Sequence, residues 1–297
     1  MILAVGEALM EFRRLSSDGV LSTAGEWAGP FPSGAPAIFA SVAARLGAPA
    51  ALVGGVGDDR FGHALVARLR RDAVGIDALQ VVPGRATAVA FVAYDQAGGR
   101  DFWFSVHDSA AMALDLASAD RAARSADWLH VSGSTLAFGG AIAAAVEASA
   151  ERVGRAGGRI SLDPNLRPDA SADARARTAR LVKRADVVLP SEGELEALGL
   201  NEGDVARRAL ICRTLGAEGV RLSGAGLGND ACYMPAPVAD EVDPTGAGDT
   251  FAAAFVTRLR VGADPLAAAR FACETAARSV SVLGAMEAPV DGREPGA

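Results

Sequence analysis

Short, wholly apolar runs alternate with amphipathic stretches along most of this chain, and that rhythm limits the folds open to it. The runs are ILAV (2–5), AALVG (50–54), DWLHVSG (127–133), RISLD (159–163) and DVVLP (186–190). Helix-like stretches lie between and after them, at 36–46, 60–73, 139–156, 173–184 and 191–198. A strand that is apolar on both faces has both faces covered, which is the state of a parallel strand with crossover helices packed against it. The expectation is an α/β fold with a mostly parallel central sheet flanked by helices.

Two segments interrupt the rhythm. Residues 11–32 and 85–107 carry the alternating pattern of half-exposed strands, with a hairpin break at 95–99. They are read as a small antiparallel sheet projecting from the main body; the plainer alternative is an edge hairpin of the main sheet. Residues 209–237 read as three more short strands around the Gly-rich turn 224–228, and helices are expected at 246–260 and 264–283. With no internal repeat, low-complexity tract or linker, the 297 residues are read as one domain.

Composition excludes several classes. Half the residues are apolar and 22% are charged, so the chain can bury a full core and intrinsic disorder is excluded. A net charge of -7 argues against a nucleic-acid groove, which needs a basic stripe. It leaves a phosphate ligand open, because backbone N–H groups bind phosphate without net positive charge. Cys212, Cys232 and Cys273 form no CxxC pair, so they are read as buried, reduced thiols of a cytoplasmic protein. Glu7 interrupts the apolar start MILAVGEALMEF, which lacks the pattern of a signal peptide. No apolar run approaches the ~20 residues of a membrane span. His63, His107 and His130 have no metal-ligand spacing, and His130, in an apolar run, is read as a core histidine.

The sharpest chemical signal is DPTGAGDTF (243–251), at the mouth of a long Ala-rich helix. Gly246, Ala247 and Gly248 leave the first amides of that helix bare, with the positive end of its dipole behind them. Such a helix mouth suits a phosphate. Asp249, one step inside, is placed to accept a hydroxyl proton as the oxygen attacks phosphorus. An acid in a first turn and a glycine before a helix are also ordinary helix chemistry, so the specificity lies in the whole string. No GxxxxGK[ST] occurs. The GAGLG at 224–228 precedes a strand-like NDACYM, so it is not read as a dinucleotide fingerprint.

DPTGAGDTF resembles the C-terminal signature of the ribokinase-like, phosphofructokinase-B type sugar kinases. Five other segments match that family in order: SGAPAIFASVAARLG (33–47), GGVGDDRFG (54–62), LDPNLRP (162–168), LPSEGEL (189–195) and TLGAEG (214–219). LDPNLRP is closest to the fructokinase and 2-keto-3-deoxygluconate kinase branches. The resemblance implies a three-layer ribokinase-like fold with a small β lid, formed here by about 11–32 and 85–107. It implies an ATP-dependent kinase that phosphorylates a small sugar: a hexose, a ketose or a 2-keto-3-deoxy sugar acid. A nucleoside kinase of the same fold and a non-catalytic sugar- or nucleotide-binding relative are the alternatives. ATP, Mg²⁺ and a monovalent cation such as K⁺ are the implied cofactors. An exposed lid sheet would favour a homodimer by pairing of lids.

Residue by residue, the resemblance makes Asp249 the base and Gly246, Ala247 and Gly248 the anion hole. It places Glu11, Gly34 and Arg167 at the sugar; from the lid strand itself, Phe104, which faces the opposite side from its neighbour Trp103, and His107, beside Asp108 and Ser109, are read as further sugar contacts. Ser191, Glu194, Thr214, Gly216 and Cys273 fall on the nucleotide side, with Glu194 holding Mg²⁺ through water. Asp243 and Thr245 fall at the monovalent-cation position. The chain departs from the family where Ile38 replaces a sugar-binding Asn, Val106 an Arg of the fructokinase and ketodeoxygluconate branches, Ser191 and Cys273 each an Asn, and Glu11 an Asp. A buried hydroxyl facing Ile38 would lack a partner, so these changes bear on which sugar is used rather than on the reaction.

Overall fold

The computed structural model describes residues 1–290 apart from 17, 96–98, 168 and 228–230. In chain order the elements are β1 (Ile2–Val5), β2 (Leu9–Arg14), β3 (Trp27–Ser33), α1 (Ala35–Arg45), β4 (Ala50–Gly57), α2 (Arg60–Arg71), β5 (Leu79–Val82), β6 (Ala88–Tyr94), β7 (Arg100–Ser105), α3 (Leu116–Ala123), β8 (Trp128–Ser132), α4 (Gly133–Ala137), α5 (Gly140–Arg155), β9 (Arg159–Asp163), α6 (Ala172–Val182), β10 (Val187–Val188), α7 (Glu194–Ala197), α8 (Glu202–Ala206), β11 (Leu210–Thr214), β12 (Gly219–Gly224), β13 (Cys232–Pro235), α9 (Ala247–Arg260) and α10 (Pro265–Ser279). No described helix is long and apolar enough to cross a membrane.

Nine strands form one sheet in the order β13-β12-β11-β10-β9-β8-β1-β4-β5. From β11 to β5 every neighbouring pair is parallel. β12 and β13 add on antiparallel. All five apolar runs are strands of this sheet, and β1 shows why they read as continuous. Ile2 and Ala4 pack into the core shared with Phe39 and Phe255 of α1 and α9. Leu3 and Val5 pack on the opposite side with Ile142 and Val146 of α5. Helices thus cover both faces of the sheet.

Some elements lie outside the sequence expectation. α4 and α8 are single turns, too short to display a helical period, and β5 is a half-exposed edge strand. The stretch expected as a helix from 191 is helical only over Glu194–Ala197, because Gly193 takes a left-handed φ of 79° before it.

The second sheet has the order β3-β2-β6-β7. It was expected to be antiparallel throughout, but its central pair, β2 and β6, is parallel. Each of these strands runs on from a strand of the main sheet, β1 and β5, and those two point the same way, so their continuations do too. The outer pairs are antiparallel. Residues 96–98 of the expected hairpin lie outside the described residues; at its base the Asp95 amide donates to Gly99 O (2.9 Å). Cross-strand register puts Glu11, Ala90 and Phe104 in one row and Arg13, Val92 and Phe102 in the next, on a single face. Phe12, Phe91 and Trp103 form a row on the other face, where Trp103 is 55% exposed.

Candidate active site

The carboxyl ends of the parallel strands and the mouth of α9 meet on one side of the main sheet. Gly246 caps α9 with φ 76° and ψ 6°, a left-handed conformation that glycine adopts without strain. A Cβ there would also press on Ala285 Cβ at 3.0 Å and Ile38 Cδ1 at 3.1 Å. The Ala247 amide turns back to Pro244 O (3.2 Å). A Cβ on Gly248 would meet only Asp163 Oδ2, at 3.9 Å, so the space before the first turn is open. This cradle fits a phosphate group against the helix mouth. Asp249 stands in that first turn and is 8% exposed.

A second carboxyl, Glu7, lies close to Asp249 and was not singled out as functional in the sequence. It follows β1 directly and is 3% exposed. Burial pushes its pKa up to about 7, against the pull of the Thr135 hydroxyl, which donates to Glu7 Oε2 at 2.6 Å. The charge of Asp249 raises it further and that of Arg167 lowers it, so these three groups share one electrostatic neighbourhood. In the sequence Glu7 stands out only as a charge interrupting an apolar N-terminal stretch, which does not by itself mark a functional group.

Arg167 leaves the end of β9 and crosses to the second sheet. Its guanidinium lies over the rings of Phe102 (4.8 Å) and Phe104 (4.3 Å), stacking that holds a cation without discharging it. The loop that carries it is held from both ends. Asp163 Oδ1 accepts from the Asn165 amide (2.9 Å), and Glu194 Oε1 accepts from the Leu166 amide (2.6 Å). Phe104 therefore lies at the site as a platform for Arg167. His107 is exposed at the rim, its ring edge-on to Phe138, which in turn packs against Phe104.

On the nucleotide side, Glu194 binds two loops together. Its Oε2 accepts from the Ser191 amide (2.7 Å) while Oε1 holds Leu166. A carboxylate fixed in this way between two loops suits the ordering of water around a nucleotide-borne Mg²⁺. Ser191 Oγ and Thr214 Oγ1 are 3.2 Å apart across the ends of β10 and β11. Gly216 has φ 59° and open space around its missing side chain, as a surface for a flat ligand requires. Cys273 does not fit its expected place. It is 4% exposed inside α10, within the core, and burial pushes its thiol up to about 11. An apolar thiol lacks the donors that would draw it out of the core toward an adenine.

The residues expected at the sugar include Glu11, on the inner face of the second sheet. Glu11 is 3% exposed and accepts from Ser33 Oγ (2.9 Å); burial pushes its pKa up to about 7. Glu11 Oε1 and Arg13 Nε are both buried without a hydrogen-bond partner. Gly34 caps α1 with φ 105°, and a Cβ there would strike Glu7 O at 2.6 Å. Ile38 is 2% and Val106 1% exposed, so neither departure from the family pattern offers polar contact. His130 is a core residue: it stacks on Phe39 (3.8 Å), its Nδ1 meets Ser161 Oγ (3.0 Å), and burial lowers its pKa to about 3.

Asp243 and Thr245, the pair at the monovalent-cation position, are engaged with protein groups. Asp243 Oδ1 accepts from the Thr245 amide (3.1 Å) and hydroxyl (2.7 Å), and Oδ2 from the Gly284 amide (2.9 Å). Arg13 Nη1 stands 3.3 Å from Oδ1. A carboxylate already carrying an arginine does not fit a second cation.

A family model for pfkB family carbohydrate kinases matches residues 1–291. Fructokinase-1 of Oryza sativa subsp. japonica is 33% identical over 272 residues, covering 87% of this chain and 83% of that protein. A putative ribokinase II from E. coli, solved with ATP and Mg²⁺, superposes with a TM-score of 0.87 at 31% identity, over 97% of this chain and 94% of the other. A double-mutant fructokinase from Vibrio cholerae O395, solved with fructose, ADP and potassium, gives 0.81 at 29% identity, over 97% and 94%. Agreement along nearly the whole length, in sequence and in backbone, makes this chain a member of the pfkB family of carbohydrate kinases.

Proposed function

We propose that this ATP-dependent sugar kinase phosphorylates a ketohexose of the fructose class at a primary hydroxyl. The observation that carries the reading is the open cradle at Gly248 with Asp249 in the turn behind it. Relatives named fructokinase, at 32–34% identity, support the choice of sugar. The sugar hydroxyl lies against Asp249, whose carboxylate takes the proton as the oxygen attacks the γ-phosphorus. The new O–P bond forms as the bond to the ADP leaving oxygen breaks. Amides of the α9 mouth donate to the oxygens of the transferring group, where negative charge accumulates. Arg167, on its aromatic platform, adds a positive charge beside that group. Mg²⁺, entering with the nucleotide, supplies charge neutralisation on the phosphates.

Glu11 Oε1 offers a buried acceptor for a sugar hydroxyl. The apolar Val106 disfavours a sugar acid, whose carboxylate would seek a cation there. The second sheet acts as the lid, and the exposed Trp103 on its outer face supports pairing with a second copy. A cytoplasmic location goes with the reading, on the buried thiols Cys212 and Cys273. The test is ADP release over ketoses, aldohexoses, pentoses, nucleosides and 2-keto-3-deoxy sugar acids. Fructose is expected to give the highest kcat/KM; a higher value for a nucleoside or a sugar acid overturns the substrate assignment.

A further inference from the structure

Two side chains of the second sheet reach the loop that leads into the anion cradle. Arg13 Nη1 donates to Val242 O (2.6 Å) and pairs with Asp243 Oδ1. The Tyr94 hydroxyl shares a hydrogen bond with Thr245 Oγ1 (2.7 Å), and the Arg13 guanidinium lies over the Tyr94 ring at 5.1 Å. Asp243 is 1% exposed. A carboxylate so far from water requires a counter-charge held in place. Arg13 is that charge, on a side chain itself only 16% exposed. The Thr245 amide and hydroxyl both donate to Asp243 Oδ1, and Arg13 Nη1 forms an ion pair with the same oxygen at 3.3 Å. One residue beyond Thr245 is Gly246, the cap of α9. Any drift of Asp243 would therefore move the cradle directly.

We propose that the Arg13 guanidinium is a built-in cation at this corner, standing where a free monovalent cation would otherwise serve Asp243, and that it ties docking of the second sheet to the shape of the cradle. Arg13 acts on the reaction as a positioning residue, through Asp243 and the 243–246 loop. The enzyme then has no use for K⁺ at this place, because K⁺ would have to share Asp243 with an arginine already paired to it. The proposal goes beyond the kinase reading and relies on it only for the turnover measurement.

The experiment compares KCl with choline chloride at equal ionic strength, reading both Tm and kcat, for the wild type, Arg13→Met and Arg13→Lys. The wild type and Arg13→Lys are expected to show the same Tm and kcat in both salts. Arg13→Met keeps the length but loses the charge. Its kcat is expected to fall about 10- to 100-fold in choline, with KM for the sugar moving less. KCl is expected to restore several-fold of that loss and to raise its Tm by mass action, as any ligand of the folded state does. A specific K⁺ response in the wild type overturns the proposal. So does a folded Arg13→Met that ignores K⁺, since a merely structural arginine would lower Tm without creating a cation site. If Arg13→Met does not fold, the wild type and Arg13→Lys decide: indifference of both supports the proposal and a K⁺ response in either overturns it. Failure to turn over any sugar would count against the kinase reading, and the Tm comparison would still stand.

Discussion

Burial, more than any charged neighbour, sets the protonation of Glu7 and Glu11. Both carboxyls rise from an ordinary 4.5 to about 7 as they leave water. Between these values the folded protein holds protons that the unfolded chain has released, so stability falls as pH rises through that window. Glu11→Gln removes one of the two titrating groups, and the decline of Tm from about pH 5 to about pH 7.5 is expected to flatten in a pH series of thermal melts. An unchanged slope would mean that the Glu11 carboxyl is hydrated and ionised. Asp249→Asn tests the base more directly: kcat is expected to drop at least ~10³-fold while nucleotide affinity stays within a few-fold. Near-normal turnover would refute the assignment. The Asp249 position was legible from its motif. The Glu7 position was not, because an acid after an apolar run has no meaning until the fold brings Thr135 and Arg167 to it.

At the scale of elements, the mouth of α9 depends on one backbone conformation. Gly246→Ala forces a side chain into a left-handed residue and against Ala285 and Ile38. A loss of about 1–3 kcal/mol in stability is expected from denaturant unfolding, with a larger proportional loss in kcat than in sugar affinity. An alanine variant of wild-type stability and turnover would show that the cap can relax. Glu194 illustrates how an element acquires its role. The motif suggested a carboxylate serving Mg²⁺, and its place was readable in the sequence. Its grip on the Leu166 and Ser191 amides was not, because those amides come together only where β9 and β10 end side by side.

Across the whole molecule, the main body and the second sheet meet at the candidate site: the mouth of α9 carries the cradle and Asp249, and the second sheet carries Glu11, Arg13, Tyr94 and the rings under Arg167. If the outer face of that sheet joins two copies, Trp103→Glu is expected to shift sedimentation from a dimer to a monomer; an unchanged dimer would locate the contact elsewhere. The apolar runs determined the parallel α/β body by themselves, since a strand apolar on both faces can be buried in few ways. The string at 243–251 likewise determined the helix mouth and its acid, because both are local consequences of neighbouring residues. Tertiary structure alone decided the parallel pairing of β2 with β6 and the meeting of Arg13 with Asp243. Those outcomes depend on strand direction and on contacts between residues far apart in the chain, and neither is encoded in any local pattern.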